Sequence, residues 1–186
     1  MIEPKVNEGK VIFGPCRLSY THLFEKYVGN NGGEGKYQTN VLIPKSEKKT
    51  VEAIKQAIEN AKKAGVSGKW GGKEPKKLEM PLKDGDFDKD DDVYTGMLYV
   101  NAKCSTRPGI VDKNHVQIVD EEEVYSGMWA VVSVTFYAYD ASGNRGIACG
   151  LNNVMKFKDD EKLGGRVSAQ ADFDGIEFDT EDDDDL

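Results

Sequence analysis

The sequence has little cysteine and histidine and no long apolar run, and each shortage argues against a class of protein. Its 186 residues include only Cys16, Cys104 and Cys149, too far apart for a disulfide scaffold or a CxxC metal site. The two histidines, His22 and His115, lie outside any HExxH pattern, so no metal and no cofactor is expected. No apolar run reaches the ~18 residues of a membrane-spanning helix, and the first residues carry no apolar signal segment. We therefore expect a soluble cytoplasmic protein with reduced thiols.

Signatures of catalysis are also missing. No GxGxxG sequence opens a helix after a strand, and neither a Walker loop nor a GxSxG elbow is present. Asp84, Asp86 and Asp88 have the spacing of the first ligands of a calcium-binding EF-hand. The sixth position of that loop is Lys89 instead of glycine, however, and the twelfth is Thr95 instead of glutamate. A solvated acidic loop is expected there, and the protein is not expected to be an enzyme.

Charge is divided unevenly along the chain. The whole sequence has 25 lysines and arginines against 33 aspartates and glutamates, a net charge of −8. Residues 172–186 hold nine acids and no base, which leaves 24 acids and 25 bases, a net charge of +1, for residues 1–171. A block of like charge repels itself and resists packing. We expect one folded domain over residues 1–171 and a disordered acidic tail over residues 172–186.

The alternation of apolar and polar residues predicts five or six strands. They are expected at residues 10–20, with a break at Gly14–Pro15, and at 36–43, 97–107, 129–139 and 146–157, with 116–119 as a candidate short strand. Residues 140–144 have the composition of a hairpin turn. This pattern favours a mainly β fold, most simply a small β-barrel, with long loops.

One flanking α-helix is predicted between the early strands. Ser46 is a candidate N-cap, and Gly65 is expected to end the helix. Its apolar face consists of Val51, Ile54, Ile58 and Ala61. The other face is charged, so we expect the helix to pack on the core from one side.

The predicted strands have a second face that mixes aromatic, cationic and amide side chains. Its members are Lys36, Gln38 and Asn40, then Tyr99, Asn101, Lys103 and Arg107, then Tyr137 and Tyr139. Rings that stack on bases beside cations that follow the phosphates are typical of a groove for single-stranded nucleic acid. A solvated β-face explains the same pattern, because tyrosine and threonine favour strands.

The loop after the helix has a similar ambiguity. Trp70 lies between Lys69 and Lys73 in a glycine-rich segment. The indole ring could be a mobile stacking finger for a base, or it could pin the loop to the core. The sequence is compatible with both interpretations.

The acidic tail also carries apolar residues. Its candidate partner-binding residues are Phe173, Phe178, Asp182, Asp183, Asp184, Asp185 and Leu186. An acidic run that ends in an apolar residue can dock into a basic, partly apolar pocket of a partner. It can also lie over a cationic groove of the same chain and compete with DNA, or serve only as a solvating tail.

An ordered set of motifs over roughly residues 8–174 resembles the phage single-stranded-DNA-binding proteins first catalogued as a domain of unknown function. The motifs include Arg17-Leu-Ser-Tyr20, Lys69-Trp-Gly-Gly-Lys73, Asn101-Ala-Lys103 with Arg107-Pro108, Tyr125-Ser-Gly127, Phe136-Tyr-Ala-Tyr139 and Gly143-Asn-x-Gly146-Ile-Ala-x-Gly150. The resemblance implies an OB-fold that coats single-stranded DNA during phage replication or recombination in the cytoplasm of the infected bacterium. Arg17, which opens the first of these motifs, is a further candidate DNA contact.

The tail is similar in design to those of T7-type phage and bacterial single-stranded-DNA-binding proteins. The resemblance implies that it recruits a phage or host DNA polymerase, helicase or recombination protein. Those tails commonly end in phenylalanine, whereas this chain ends in Leu186. The alternative function is a protein-binding module that does not bind DNA, either an acidic-tailed chaperone or an anti-host factor that mimics the charge of DNA.

Overall fold

A computed structural model describes residues 1–164 and 169–177 of the chain. The strands in this part are β1 (Lys5–Asn7), β2 (Lys10–Tyr27), β3 (Lys36–Pro44), β4 (Lys83–Asp84), β5 (Met97–Cys104), β6 (Gly109–Val111), β7 (Trp129–Ala141) and β8 (Asn144–Lys158). The helices are α1 (Lys48–Ser67), α2 (Gly85–Asp88) and α3 (Ala169–Asp172), with 3₁₀ turns at Asp92–Tyr94 and Glu121–Glu123. Phe178 and residues 182–186, which are candidate partner-binding residues, lie outside the described residues.

Five strands form a closed barrel. They are hydrogen-bonded in the order β5–β3–β2–β7–β8, and the ring closes where β5 and β8 pair in parallel at Lys103 and Gly150. This is the strand order of an OB-fold, a five-stranded barrel that binds oligonucleotides in many proteins. The predicted mainly β barrel with one flanking helix is therefore confirmed.

Two predicted details of the strands are confirmed. The register between β2 and β7 shifts between Phe13 and Cys16, where Gly14–Pro15 was expected to break the strand. The β7–β8 hairpin closes through Ser142 and Gly143, both with positive φ, as a two-residue turn requires.

The short strand expected at 116–119 is wrong. The extra strand is β6, which precedes it and pairs in parallel with β8, and only an isolated bridge joins Val111 to Gln117. Val116 and Val119 are exposed, so their apolar side chains do not mark a buried strand.

Helix α1 packs its predicted apolar face against the barrel, mainly on β7. Its predicted ends are wrong, however: the residue before the helix is Glu47, without a side-chain cap hydrogen bond, and the helix continues past Gly65 to Ser67. Gly65 is buried inside the helix because Trp70 and Ala138 press against it. A Cβ atom there would lie 2.6 Å from the Ala138 Cβ and 2.9 Å from the indole ring.

The segment 83–96 folds over the outer face of β3 and β5. Strand β4 pairs with β5 at Tyr99, and Lys45 fixes the start of α2 through ion pairs of 2.7 Å with Asp84 and Asp86. The Tyr94 ring is buried on Tyr99. The sequence pattern placed Tyr99 and Asn40 on an open face, and this is wrong at both positions because the segment covers them.

No helix of the described residues is long and apolar enough to cross a membrane.

Candidate nucleic-acid interface

A row of small residues along the outer face of β8 lets two tyrosine rings of β7 lie across that strand. A Cβ atom at Gly150 would lie 3.3 Å from Cε1 of Tyr137, and one at Gly146 would lie 2.8 Å from the Tyr139 hydroxyl. Ala148, the residue between them, adds only a methyl group. Because none of these three positions carries a large side chain, both rings can lie across β8, and they line the same groove as Asn101 and Lys103 of β5.

The rings form one wall of a groove of about 320 Å³. Asn101 and Lys103 of β5 line it with them, together with Lys36, Lys83, the segment Glu79–Pro81 and residues 147–149 of β8. Three lysines and one glutamate give this lining a net charge of +2. Tyr137 is 47% exposed, so its ring is available to a ligand.

The groove lies where the OB-fold usually binds oligonucleotides. That region comprises the second and third barrel strands together with the loops joining strands one to two and four to five. In this chain the strands are β3 and β5, and the loops are residues 28–35 and the β7–β8 turn. Lys36 follows the first loop directly, and Tyr139 is close to the second.

A chain of amide hydrogen bonds runs beneath the wall formed by β5. The Asn101 side-chain amide donates to the Asn40 oxygen at 2.7 Å, and the Asn40 amide donates to the Tyr94 hydroxyl at 2.9 Å. Within the described residues, the buried Oδ1 of Asn101 has no hydrogen-bond partner. An unsatisfied buried acceptor is unfavourable, so this wall of the groove carries an unused hydrogen-bonding group.

The structure thus brings together four of the residues predicted from the sequence, namely Lys36, Lys103, Tyr137 and Tyr139. These four residues come from three strands that are separated in sequence, β3, β5 and β7, and the barrel places them around one groove. Tyr99 is only 6% exposed, and its ring lies beneath the segment 83–96.

Trp70 is anchored. Its ring is 6% exposed, and its indole N–H donates to the backbone oxygen of Tyr139 at 3.1 Å. Of the two interpretations, the ring that pins the loop is the one observed, and a mobile stacking finger is wrong for this structure. Lys69 and Lys73 remain exposed on the pinned loop, and neither forms an ion pair with the residues that the structure describes.

The two predicted arginines lie outside the groove lining. Arg107 is exposed beyond the end of β5, with its guanidinium 4.1 Å from the centroid of the Phe24 ring. Arg17 donates to the backbone oxygens of Gly127 at 3.1 Å and Glu161 at 2.8 Å. Arg17 therefore holds the segment after β8 against the barrel, which is a structural role.

Two features of this face were missed from the sequence. Lys83 lines the groove, and Lys89 lies over the ring of Tyr20, with its Nζ 5.2 Å from the ring centroid. The Gly146-x-Ala148-x-Gly150 spacing could have revealed the flat floor of the groove. Lys89 is a single lysine among aspartates, and nothing in the local sequence predicts its contact with an aromatic ring.

Burial keeps the thiol under the groove neutral. Cys149 lines the groove, and desolvation raises the pKa of its thiol far above the ordinary value. No thiolate nucleophile is therefore present at neutral pH. In the described part of the chain, no three histidine, cysteine or acidic side chains come together in a way that could hold a metal ion.

Comparison with known proteins supplies the family. The model of the family described as the Enterobacter phage Enc34 ssDNA-binding protein matches residues 9–186. The "Putative protein p50" of Acyrthosiphon pisum secondary endosymbiont phage 1 is 33% identical over 178 residues, covering 90% of this chain and 94% of that protein.

Solved structures give the same result. The single-stranded DNA-binding protein of bacteriophage Enc34 in complex with ssDNA superposes with a TM-score of 0.75 and 30% identity, covering 84% of this chain and 90% of that one. The single-stranded DNA-binding protein gp2.5 of bacteriophage T7 has a TM-score of 0.61 and 16% identity over 86% of this chain and 97% of that one, which shows a shared fold alone. These names describe DNA-binding proteins and not enzymes. The chain belongs to the family of the Enterobacter phage Enc34 single-stranded-DNA-binding protein.

Proposed function

We propose that this protein binds single-stranded DNA without sequence preference, through the groove between Tyr137 and Lys103, and coats it during phage DNA replication or recombination. The observation that carries the proposal is the exposed tyrosine wall facing a lysine on the oligonucleotide-binding face of an OB-fold. Phage DNA is replicated inside the host, so the protein would act in the cytoplasm of the infected bacterium.

The groove lining suggests how the strand would be held. Every base has a π-face, so stacking on Tyr137 and Tyr139 is insensitive to sequence and contributes roughly 1–3 kcal/mol per base. Lys36, Lys83 and Lys103 would neutralise phosphates along the groove. A duplex keeps its bases paired and stacked internally, so it cannot offer their faces to the tyrosines.

A titration of intrinsic fluorescence with oligo-dT, followed by gel shift against a duplex of equal length, tests this proposal. We expect quenching by the single strand, salt-sensitive affinity and much weaker binding of the duplex. Equal affinity for both forms would contradict stacking in the groove. A protein that binds neither form would instead support the protein-binding module.

Further contacts are proposed around the groove. The Trp70 anchor places Lys69 and Lys73 beside the end of β7, where they would meet phosphates entering the groove. Arg107 lies beyond the end of β5, so it would contact only DNA that extends past that end. Tyr99, Trp70 and Arg17 are not included, because protein contacts already occupy their rings and guanidinium group.

We also propose that residues 172–186 form a tail, separate from the OB-fold domain of residues 1–171, that competes with DNA. Its nine acids complement the positive groove. Phe173 and Ile176 are exposed among these acids. We propose that Phe173, Phe178, the acids at 182–185 and Leu186 bind a DNA polymerase, helicase or recombination protein.

The point at which the chain leaves the barrel determines how far this tail can extend. The Leu163 amide donates to the Ser126 oxygen at 2.9 Å, and Arg17 holds Glu161, so the chain is fixed to the barrel up to this point. The 23 residues from 164 to 186 follow. Fully extended, a chain of that length spans at most about 75–80 Å, and α3 with the turn to Ile176 shortens this limit.

Removal of residues 172–186 tests both roles of the tail. We expect the truncated protein to bind oligo-dT more tightly, with the larger gain at low salt where screening is weak. Leu186→Asp removes the apolar end and adds only one negative charge to nine, so DNA affinity should barely change while capture of the partner falls. If truncation changes neither DNA affinity at low salt nor partner capture, the tail only aids solubility.

A further inference from the structure

The ammonium group of Lys89 lies among three tyrosine rings. Its Nζ is 5.2 Å from the ring centroid of Tyr20 and 5.6 Å from those of Tyr94 and Tyr99. Tyr94 and Tyr99 are buried, but the Tyr20 side chain is 53% exposed. The lysine therefore rests on a cluster in which one large ring is open to solvent.

An irregular backbone turns Tyr20 outward. Its φ is +48°, which is uncommon for a bulky residue, and the β2–β3 register shifts between Ser19 and His22. Irregularities of this kind re-aim a side chain and often lie beside functional sites. Leu18 and Ser19, just before it, are buried in the barrel, so the shift is what exposes the tyrosine ring.

The tyrosine cluster continues the face that carries the groove. Tyr99, Asn101 and Lys103 alternate along the outer side of β5, and four residues of a strand span about 13 Å. Asn101 connects the two regions, since it lines the groove and is linked through Asn40 to the Tyr94 hydroxyl.

We propose that Tyr20 is a base-stacking residue at the end of this path, and that Lys89 binds the phosphate next to the stacked base. The ligand is one further nucleotide of single-stranded DNA, so this inference rests on the proposed function. The base replaces the ammonium group on the Tyr20 ring, because base stacking is stronger than an exposed cation–π contact.

Charge explains why Lys89 is needed there. Burial raises the pKa of the Tyr99 and Tyr94 hydroxyls, and the nearby carboxylates of Asp88 and Asp91 raise it further. Asp90 follows Lys89 directly in the chain. A phosphate approaching Tyr20 would meet these carboxylates unless the ammonium group of Lys89 stood between them.

Two substitutions of Tyr20 separate ring stacking from hydrogen bonding by its hydroxyl. Tyr20→Leu should weaken binding of oligo-dT by about fivefold or more, whereas Tyr20→Phe should keep the affinity within about twofold. Lys89→Ala should make the dependence of log affinity on log salt shallower by about 0.7.

Phe157→Leu is the matched control. Phe157 is also an exposed ring beneath a lysine, with the Lys113 Nζ 5.7 Å from its centroid, but it lies at the end of β8 and does not line the groove. Its substitution should leave the affinity unchanged. An equal loss in this control and in Tyr20→Leu would overturn the assignment of Tyr20.

A photo-cross-link of the wild-type protein to an oligonucleotide of 5-iodouracil provides a readout that does not depend on folding of a variant. Cross-links should include the peptide that contains Tyr20, and cross-links confined to the Tyr137 and Tyr139 peptide would overturn the inference. Failure of the wild-type protein to bind oligo-dT would instead remove the proposed function. Binding by the wild type with no effect of Tyr20→Leu would remove only this nucleotide position.

Discussion

The lysines of the groove set how the affinity for single-stranded DNA depends on salt. Lys36, Lys83 and Lys103 line it together, and we expect each to contact one phosphate. For single strands each such contact contributes about 0.7 to the slope of log affinity against log salt, because condensed counterions are released. Replacing all three by glutamine should therefore make the slope shallower by about two units.

The expected change is large enough to measure. Between about 50 and about 200 mM salt, the ratio of the wild-type affinity to the affinity of the triple variant should fall by about 18-fold. For Lys103→Gln alone, the corresponding ratio should fall by about 2.6-fold. Fluorescence anisotropy with labelled oligo-dT at four or more salt concentrations gives both slopes. An unchanged slope in the triple variant would refute the placement of the phosphates in this groove.

A control variant that loses three positive charges outside the groove distinguishes the effect of phosphate contacts from the effect of the protein's net charge. Lys5, Lys48 and Lys55 are exposed and do not line the groove. Lys48 begins α1, whose 20 residues place it about 30 Å from the end that carries Trp70. A charge that far away is screened at about 0.1 M salt, and none of the three lysines lines the groove, so the triple glutamine control should keep the wild-type slope.

Three further predictions concern the rings and the core. Tyr137→Ala should weaken oligo-dT binding by about fivefold or more while Tyr137→Phe should not, measured by fluorescence titration; equal loss in both variants would implicate the hydroxyl instead of the ring. Gly65→Ala should lower the free energy of unfolding in urea by about 1–3 kcal/mol despite the better helix propensity of alanine, because its Cβ would press on the Trp70 ring; greater stability would contradict this packing. Burial raises the pKa of Cys16 to about 12, so at pH 8 it and Cys149 should react with a thiol reagent only after unfolding. Peptide mapping separates them from the partly buried Cys104, and rapid labelling of either buried thiol in the folded protein would contradict this prediction.

The sequence by itself determined the class of fold, because strand and helix periodicity reflect local burial. The alternation along 129–139 predicted β7 and its inward face, and the turn composition at 140–144 predicted the hairpin that follows it. The apolar spacing from Val51 to Ala61 predicted the buried face of α1. The ordered motifs pointed to the family that the comparisons identify.

Part of the groove was also predictable. Strand parity placed Lys103, Tyr137 and Tyr139 on outer faces, and these three residues line the groove. Parity assigns a side chain to one of two faces, but it does not say what else covers that face. For this reason the expectation of an open face failed at Tyr99 and Asn40.

Only the tertiary structure decided which residues are accessible and which lie together. The segment 83–96 covers Tyr99, and Trp70 is drawn onto the helix at Gly65, because contacts between residues far apart in sequence bury these rings. Tyr20 faces solvent because the β2–β3 register shifts beside it. A local sequence pattern predicts which face of its strand a side chain is on. Exposure in the folded protein depends also on which distant segments pack over that face.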